Sequence, residues 1–306
     1  MGRYMFKRML VGFLALFVLV TVSFFLTRIM PGSPFQSGNV SEQVLSSLEK
    51  EYGLDKPAAG QYVVYLGNLL HGDFGMSYKK PGVSVAEVIG RAWPVTAVLG
   101  FLAILLAAAL GTAAGIWQAV TDKKAVKGGI FLGTMLGAGV PNFAVALLLD
   151  LLFGVKLKLL PIAGLSGAAS YVLPVVSLAL YPASIIARMI HHTLGDELGR
   201  GYVALARAKG LGRRRILLTH VLKNAWLPIL NYIGPAAAFL LTGSFVVESI
   251  FTIPGLGREF VTSIGNRDYT LILGLTVFMG IVVIGINIIT DILGAWLDPR
   301  IRRTCR

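Results

Sequence analysis

Two acidic side chains lie in or at the end of long apolar stretches, where a charge is costly. Asp150 ends the run GVPNFAVALLLD, and Glu248 ends the run GSFVVE. An acid at membrane depth marks a substrate or ion path by default. Both are therefore candidates for a translocation path or its outer gate, and Asp150 also for contact with a cationic group of a cargo. The alternative is structural: Asp150 precedes Lys156 and Glu248 precedes Arg258, so each can be a helix-end carboxylate.

Three amide side chains also interrupt apolar runs, namely Asn142, Asn231 and Asn287. An amide within a membrane must find hydrogen-bond partners, either on a neighbouring helix or in a wet cavity. The first interpretation makes them contacts between helices. The second adds Asn142 and Asn287 to Asp150 and Glu248 as candidate residues of the translocation path.

Patterns for catalysis, metal binding and nucleotide binding are missing. His191 and His192 are adjacent, so their side chains diverge on a helix, and no H-E-x-x-H occurs. The single cysteine, Cys305, allows no intrachain disulfide and no cysteine metal site. No G-x-x-x-x-G-K-[ST] phosphate loop is present either. We therefore expect no metal, no bound cofactor and no enzymatic activity in this chain.

The elements that must position these residues are membrane-spanning helices. The chain of 306 residues is 55% hydrophobic and only 14% charged, and its apolar residues form runs near the roughly 20 residues that a helix needs to cross a bilayer. The runs lack the alternation of a membrane β-strand. They lie at residues 9–27, 94–120, 128–149, 171–187, 224–247 and 269–290. We interpret the first as a retained anchor rather than a cleaved signal.

The positive charges indicate which connections face the cytoplasm. Residues 1–8, 121–127, 188–223 and 291–306 hold 18 of the 28 Lys and Arg but only 5 of the 15 acids. This asymmetry follows the positive-inside rule with both termini cytoplasmic. The net charge of +13 therefore reflects topology in a lipid bilayer and predicts no nucleic acid partner.

A polar segment, residues 28–93, separates the first two spans and is too long for a simple turn. Residues 41–52 and 61–70 have helical spacing. The segment is either a structural lid on the outer rim or a docking surface for a soluble partner.

The loop at 188–223 contains YVALARAKGL. On a helix, Val203, Ala206 and Gly210 share a face of small side chains, whereas Arg207 and Lys209 point elsewhere. Such a helix suits the groove of another protein. The alternative is a solvated basic loop near anionic lipid headgroups.

This loop and several other segments resemble the type I ABC importer permeases, in particular the oligopeptide, dipeptide and nickel branch. The resemblance rests on YVALARAKGL with HVLKNAWLP, FFLTRIMPGSPF, YGLDKP, YLGNLLHGDFGMSY, GVPNF, VVESIFTIPGLGREFVTSIGNRDY and LDPRIR. It covers nearly the whole chain. It implies a second, similar permease, two cytoplasmic ATPases that use ATP and Mg, and an extracytoplasmic solute-binding protein as partners.

The resemblance also assigns site residues. The small positions of the family's coupling motif fall on Ala206, Ala208 and Gly210, and the basic positions of this branch fall on Arg207 and Lys209. Together with Leu211 these residues are expected to dock the ATPase. The motif's acidic position is occupied by Ala204, and the proline that many relatives have soon after the glycine occurs only at Pro228.

We therefore expect an all-α protein with about six spans, in the membrane of a bacterial or archaeal cell. Its expected regions are residues 1–93 (first helix and outer segment), 94–295 (permease core) and 296–306 (cytoplasmic tail). The expected function is import of di- or oligopeptides. The alternatives are a permease for nickel chelates or other small solutes, a secondary transporter, although no internal repeat is evident, and, more remotely, a membrane enzyme. G-x-x-x-G pairs at 111–115 and 133–137 permit close helix packing.

Overall fold

The computed structural model describes residues 2–30, 34–35, 43, 46–47, 50 and 53–297. The helix expected at 41–52 and the tail expected at 296–306, with Cys305, lie mostly outside these residues. The described helices are α1 (Gly2–Ile29), α2 (Ala58–Leu70), α3 (Val85–Val120), α4 (Lys124–Gly139), α5 (Asn142–Leu149), α6 (Val172–Leu198), α7 (Gly201–Ala208), α8 (Leu222–Leu241), α9 (Phe245–Ile250), α10 (Leu256–Gly265) and α11 (Tyr269–Leu297). The helix predicted at 61–70 is confirmed as α2.

The described residues contain five helical regions that are long and apolar enough to cross a membrane. They are Met5–Ile29, Val85–Val120, Ala168–Leu198, Pro228–Ile250 and Tyr269–Gly294. A bent pair, Lys124–Gly139 with Asn142–Lys156, makes a sixth if it is counted as one span. The predicted all-α membrane fold with about six spans is confirmed.

The third span differs from its prediction as one uninterrupted helix over 128–149. The two halves of the pair meet at an angle of 105° between Gly139 and Asn142. Pro141 has no N–H to continue the helix, and it disfavours helical geometry at the residue before it. Val140 accordingly takes an extended conformation, with φ −89° and ψ 126°. The span is therefore broken at Val140 and Pro141.

The second span begins at Val85 rather than at Pro94, so the boundary expected at 93/94 falls inside a continuous helix. The Ser84 side chain caps it, accepting a hydrogen bond from the Glu87 N–H at 3.1 Å. Glu87 and Arg91 end the apolar run in the sequence, but they form an exposed i,i+4 ion pair on the first turns. The apolar pattern therefore underestimates this helix at its outer end.

Helices α3 and α6 form the most extensive helix pair in the described structure. A Cβ atom on Gly111 would lie 2.6 Å from the Ala183 carbonyl oxygen, and one on Gly115 would lie 2.5 Å from that of Ala187. Only glycine permits so close an approach of two backbones. The G-x-x-x-G pair at 111–115 is thus used inside the chain.

Helix α1 lies at the edge of the bundle, packed on α11, and most of its side chains are exposed. Arg8 and Asp291 form an ion pair at 2.9 Å. On the other side of the membrane α2 packs on α1, where the Thr21 and Tyr62 hydroxyls lie 2.6 Å apart. The outer segment is therefore attached to the first span.

A buried carboxylate fixes the outer segment to the sixth span. Asp268 is 1% exposed and accepts hydrogen bonds from the Ser77 hydroxyl and from the Tyr78 N–H at 3.1 Å. It also accepts from the Leu271 N–H at 3.2 Å in the first turn of α11, which makes it an N-cap.

Candidate coupling and translocation sites

The predicted coupling helix is present as α7 and ends in a glycine turn. Gly210 has φ +77°, and its N–H donates to the Arg207 carbonyl at 2.9 Å. The Leu211 N–H donates to the Ala206 carbonyl at 3.2 Å. These two bonds make a Schellman motif, in which glycine supplies the left-handed residue. Gly210 therefore terminates the helix and is not part of its face.

The orientation of α7 corrects the prediction about its small-residue face. Val203 and Ala206 do share a face, but they are buried at 1% and 8% exposure in the hydrophobic core of their own chain. Ala206 therefore packs against its own chain, and its expected role in ATPase docking stays a prediction. The outward face presents Leu205, at 58% exposure, with Arg207 and Ala208. Lys209 is also exposed and Leu211 is half-buried.

A buried carboxylate at the C-terminal end of α6 holds the start of α7. Glu197 is 6% exposed and accepts hydrogen bonds from the Tyr202 hydroxyl at 2.6 Å and from the Asn224 side chain at 3.3 Å. The Arg200 guanidinium pairs with its other oxygen at 3.0 Å. Burial, with a smaller contribution from the Glu197 hydrogen bond, raises the pKa of Tyr202. The phenol therefore stays protonated and donates to the carboxylate at neutral pH.

The segment after α7 rejoins the membrane through irregular helix. A helical turn, Arg213–Arg215, and a π-helical segment, Ile216–Val221, continue directly into α8. Ile216 and Val221 are buried in the same core cluster as Val203 and Ala206. Wide π turns often accompany functional sites. The core thus joins α7 to the base of α8 through side-chain packing.

Asn142 is the one candidate path residue among those that line a cavity between α5, α6 and α8. The cavity has a volume of about 180 Å³ and is lined by Asn142, Leu178, Tyr181, Pro182, Tyr232, Ala236, Phe239 and Leu240. All of these side chains are uncharged. Tyr181 and Phe239 are exposed at 44% and 65%, so the cavity opens at the side of the subunit.

Asp150 begins a π-helical turn, Asp150–Lys156, that ends α5. It is half-buried, and its Oδ1 atom is buried with no hydrogen-bond partner among the described residues. A Cβ on Gly154 would lie 2.9 Å from this atom. Asp150 and Asn287, which lies half-buried on α11, do not line the 180 Å³ cavity. Their roles in translocation stay predictions.

Glu248 fastens the loops around α9. It is 1% exposed, accepts a hydrogen bond from the Thr96 hydroxyl at 2.9 Å and another from the Arg258 N–H at 3.0 Å. Thr96 in turn accepts from the Leu256 N–H at 2.8 Å. The Arg258 contact is through its backbone. These bonds support the structural interpretation of Glu248, while a gating role stays a prediction.

Sequence reasoning missed Glu197 and Asp268 as structural centres. Glu197 lies in a basic loop, where it reads as one solvated charge among many. Its partner Tyr202 lies five residues later, but Asn224 is remote in sequence. Asp268 occurs in the motif GNRDY directly before an apolar run, which is the position of a helix N-cap. That signal was available for Asp268.

Comparison with protein families and relatives agrees over the whole chain. Residues 111–303 match the family described as binding-protein-dependent transport system inner membrane component, and residues 1–100 match its N-terminal companion family. The chain is 41% identical to the oligopeptide transport system permease protein OppB of Haemophilus influenzae, covering 99% of this chain and 100% of the relative. It is 39% identical to the dipeptide transport system permease protein DppB of Bacillus subtilis, covering 99% and 98%.

Solved structures show the same fold. An inward-facing MetNI methionine ABC transporter chain superposes with a TM-score of 0.58 at 19% identity, covering 69% of this chain and 96% of the other. A chain of an amino acid ABC transporter with histidines superposes with a TM-score of 0.56 at 16% identity, covering 68% and 94%. The fold is therefore that of a type I ABC importer permease. The chain belongs to the binding-protein-dependent transport system inner membrane components and is of the oligopeptide and dipeptide permease type.

Proposed function

We propose that this chain is one of two permease subunits of an ATP-driven importer for di- or oligopeptides. The observation that carries the proposal is the similarity, at 41% and 39% identity over nearly full length, to permeases named for oligopeptide and dipeptide transport. The second permease, two cytoplasmic ATPases and an extracytoplasmic binding protein complete the proposed assembly. ATP and Mg are used by the ATPases, since this sequence has no phosphate loop.

Helix α7 is the proposed docking element for an ATPase. It lies outside the membrane spans and exposes Leu205 beside Arg207 and Lys209. An exposed leucine flanked by cations fits a groove with an apolar floor and acidic rim. The Glu197 hydrogen bonds and the buried face of α7 fix it to α6 and α8, so movement of the docked ATPase is transmitted to those helices.

The 180 Å³ cavity is the proposed contribution of this subunit to the translocation path. Its uncharged lining and the polar groups of Asn142, Tyr181 and Tyr232 suit the amides of a peptide backbone more than any particular charged side chain. The exposed Tyr181 and Phe239 leave it open at the side, where the second permease would close it. ATP-driven closure of the ATPases would switch this shared space between inward and outward access.

The orientation in this proposal has both termini and α7 in the cytoplasm. It is supported by the 18 of 28 Lys and Arg in the supposed inner connections. In a Cys305→Ser background, which removes the single native cysteine, a cysteine introduced at exposed Lys209 should react with a membrane-impermeant maleimide only in inverted vesicles. Labelling of Lys209→Cys in intact cells would reverse the orientation.

The docking proposal is tested by removing charge from α7. The variant Arg207→Ala/Lys209→Ala should lose ATPase subunits from the tagged, detergent-purified assembly and lose peptide-stimulated ATP hydrolysis. The matched control is Lys123→Ala/Lys124→Ala, which removes the same charge from exposed positions of the proposed inner connection 121–127. Equal ATPase recovery with both variants would reject α7 as the docking site.

Cargo is tested separately by uptake. Cells that express the complete transporter should accumulate a labelled tripeptide, and deletion of this chain should abolish that uptake. Nickel uptake in a chelate medium serves as the comparison. Loss of nickel uptake with unchanged tripeptide uptake would reject the peptide assignment while leaving the permease assignment intact.

A further inference from the structure

A cavity of about 390 Å³ lies outside the proposed translocation path, at the outer ends of α1 and α11. Its walls include the last turn of α1 with Arg28, the inner side of α2 with Gln61 and Tyr65, and the first turn of α11 with Thr270. The cavity therefore lies where the outer segment, residues 28–93, meets the end of α1 and the start of α11. Neither Asn142 nor any residue of α7 contributes to it.

Four polar side chains in this wall have buried atoms without hydrogen-bond partners among the described residues. The atoms are Arg28 Nε and Nη1, Gln61 Oε1, the Tyr65 hydroxyl and Thr270 Oγ1. Buried polar atoms in folded proteins nearly always have partners. Such groups converging on one cavity indicate a ligand that supplies several acceptors and at least one donor.

The guanidinium of Arg28 lies against two aromatic rings, and its Nε and Nη1 atoms are buried without hydrogen-bond partners among the described residues. Its Cζ atom lies 4.8 Å from the centre of the Phe24 ring and 5.6 Å from that of Tyr269. The rings hold the cation by cation–π contact, which does not use the N–H groups. A guanidinium edge with free Nε and Nη donors matches the paired oxygens of a phosphate or carboxylate.

The remaining groups favour the same ligand. Burial raises the pKa of the Tyr65 phenol, so this hydroxyl stays a donor at neutral pH. Lys50 and Lys56 also line the cavity, against one acid, Asp73, whose Oδ1 already accepts the Gly75 N–H at 2.8 Å. The charge around the cavity is therefore positive on balance, as an oxyanion requires.

We propose that this cavity binds the phosphodiester headgroup of a phospholipid. Arg28 and Thr270 lie at the ends of the spans Met5–Ile29 and Tyr269–Gly294, at the level of the headgroups. Val64, which lines the cavity and is 58% exposed, can contact an acyl chain. Gln61 Oε1 would accept from the alcohol or ammonium of the headgroup. The inference depends on neither cargo nor orientation, which only determines the leaflet.

The test measures lipid retention by the purified full-length chain in detergent, using native mass spectrometry. The test lipid is dioleoyl phosphatidylglycerol, and the comparison is monogalactosyl diacylglycerol, a lipid without a phosphate. The variants are Arg28→Gln and Tyr65→Phe, and the matched control is Arg91→Gln, which changes an exposed arginine of the outer end of α3. Thermal unfolding of each variant checks the fold, and Tyr65→Phe carries the test if Arg28→Gln is unfolded.

We expect the unchanged chain to retain one phosphatidylglycerol. Arg28→Gln should lower the affinity for this lipid about tenfold or more, because it removes charge-assisted hydrogen bonds. Tyr65→Phe should lower it about threefold or more, because it removes a neutral hydrogen bond. Arg91→Gln should match the unchanged chain, and the galactolipid should bind weakly. Equal retention by Arg28→Gln and the control would overturn the proposal.

Two further competitors distinguish other sources of the oxyanion. Displacement of phosphatidylglycerol by millimolar inorganic phosphate would assign the cavity to a free anion instead. Displacement by a tripeptide with a free carboxylate, but not by its C-terminal amide, would assign it to cargo. Failure of both competitors to displace the lipid supports the headgroup.

Discussion

The Tyr202 hydroxyl donates to Glu197 and so helps to fix α7 to the rest of the chain. The substitution Tyr202→Phe removes this one hydroxyl. In Tyr202→Phe, the bond to the buried Glu197 carboxylate is lost (2.6 Å), while the Arg200 ion pair at 3.0 Å and the Asn224 bond at 3.3 Å remain. Glu197 is therefore not left without partners. The ring still fills its space, so the change removes this bond and the longer one that the hydroxyl accepts from the Asn224 side chain, at 3.4 Å, with little loss of packing.

The magnitude follows from the kind of bond. A hydrogen bond to a charged group contributes about 1.5–3 kcal/mol to stability, and a half-buried donor with two remaining partners on the acceptor belongs at the lower end. A loss of about 1.5 kcal/mol raises the population of the locally opened state about tenfold. The effect is local, because α6 and α8 keep their own packing.

Hydrogen–deuterium exchange of the purified full-length chain measures this opening. Peptides covering residues 201–211 should exchange about tenfold faster in Tyr202→Phe, with peptides from α3 unchanged. Tyr181→Phe, the same change at an exposed tyrosine of α6, is the control and should leave residues 201–211 unaffected. Unchanged exchange at α7 in Tyr202→Phe would refute the inference that Glu197 holds this helix.

Three further changes test individual contacts by thermal unfolding. Gly210→Val should lower the free energy of unfolding by about 1–2 kcal/mol, because φ at this position is +77°. Gly210→Asn should lower it less, and equal effects of the two substitutions would contradict a left-handed helix cap. Thr96→Val should lower the free energy of unfolding by about 2–3 kcal/mol, because it leaves the buried Leu256 N–H without its acceptor and removes one of the hydrogen bonds to Glu248, which keeps the bond from the Arg258 N–H. Thr112→Val, whose hydroxyl has no partner among the described residues, should be near neutral, and the reverse order would refute the assignment. Gly111→Ala should lower the midpoint of thermal unfolding, because the added methyl group would meet the α6 backbone. Gly90→Ala should raise the midpoint, because its methyl group meets no atom within 4 Å and alanine favours the helix.

The spans could be predicted because lipid demands long apolar helices, but the break in the third span could not. The signal, Pro141, was visible in the sequence. Yet Pro94, Pro182, Pro228 and Pro235 lie inside described helices that continue through them. Neighbouring helices can satisfy the backbone groups that a proline releases in a membrane. Proline alone therefore does not identify where, among the described residues, two helices of a span meet at 105°.

The coupling segment shows a second limit of sequence reasoning. Helical periodicity correctly placed Val203 and Ala206 on one face, but periodicity does not state whether that face meets the same chain or another. This face packs with Ile216 and Val221 of the same chain. These two residues belong to a π-helical segment, which helical spacing in the sequence does not predict. Val203 and Ala206 pack within the chain, whereas Leu205 lies on the exposed face, which the pattern of small residues does not indicate.

The two candidate functional regions are connected by continuous helices rather than by a chain of separate contacts. Helix α6 carries Glu197 at its C-terminal end and Tyr181 at the 180 Å³ cavity. Helix α8 carries Asn224 near its start and Tyr232 at the same cavity. Glu197 accepts from both Tyr202 and Asn224, so one buried carboxylate joins α7 to two of the three helices that line the cavity. A rigid displacement of α7 therefore has to tilt α6 and α8 or break the Glu197 hydrogen bonds. Transmission of movement to the helices of the cavity is what the proposed coupling role requires of an element that does not touch the cargo.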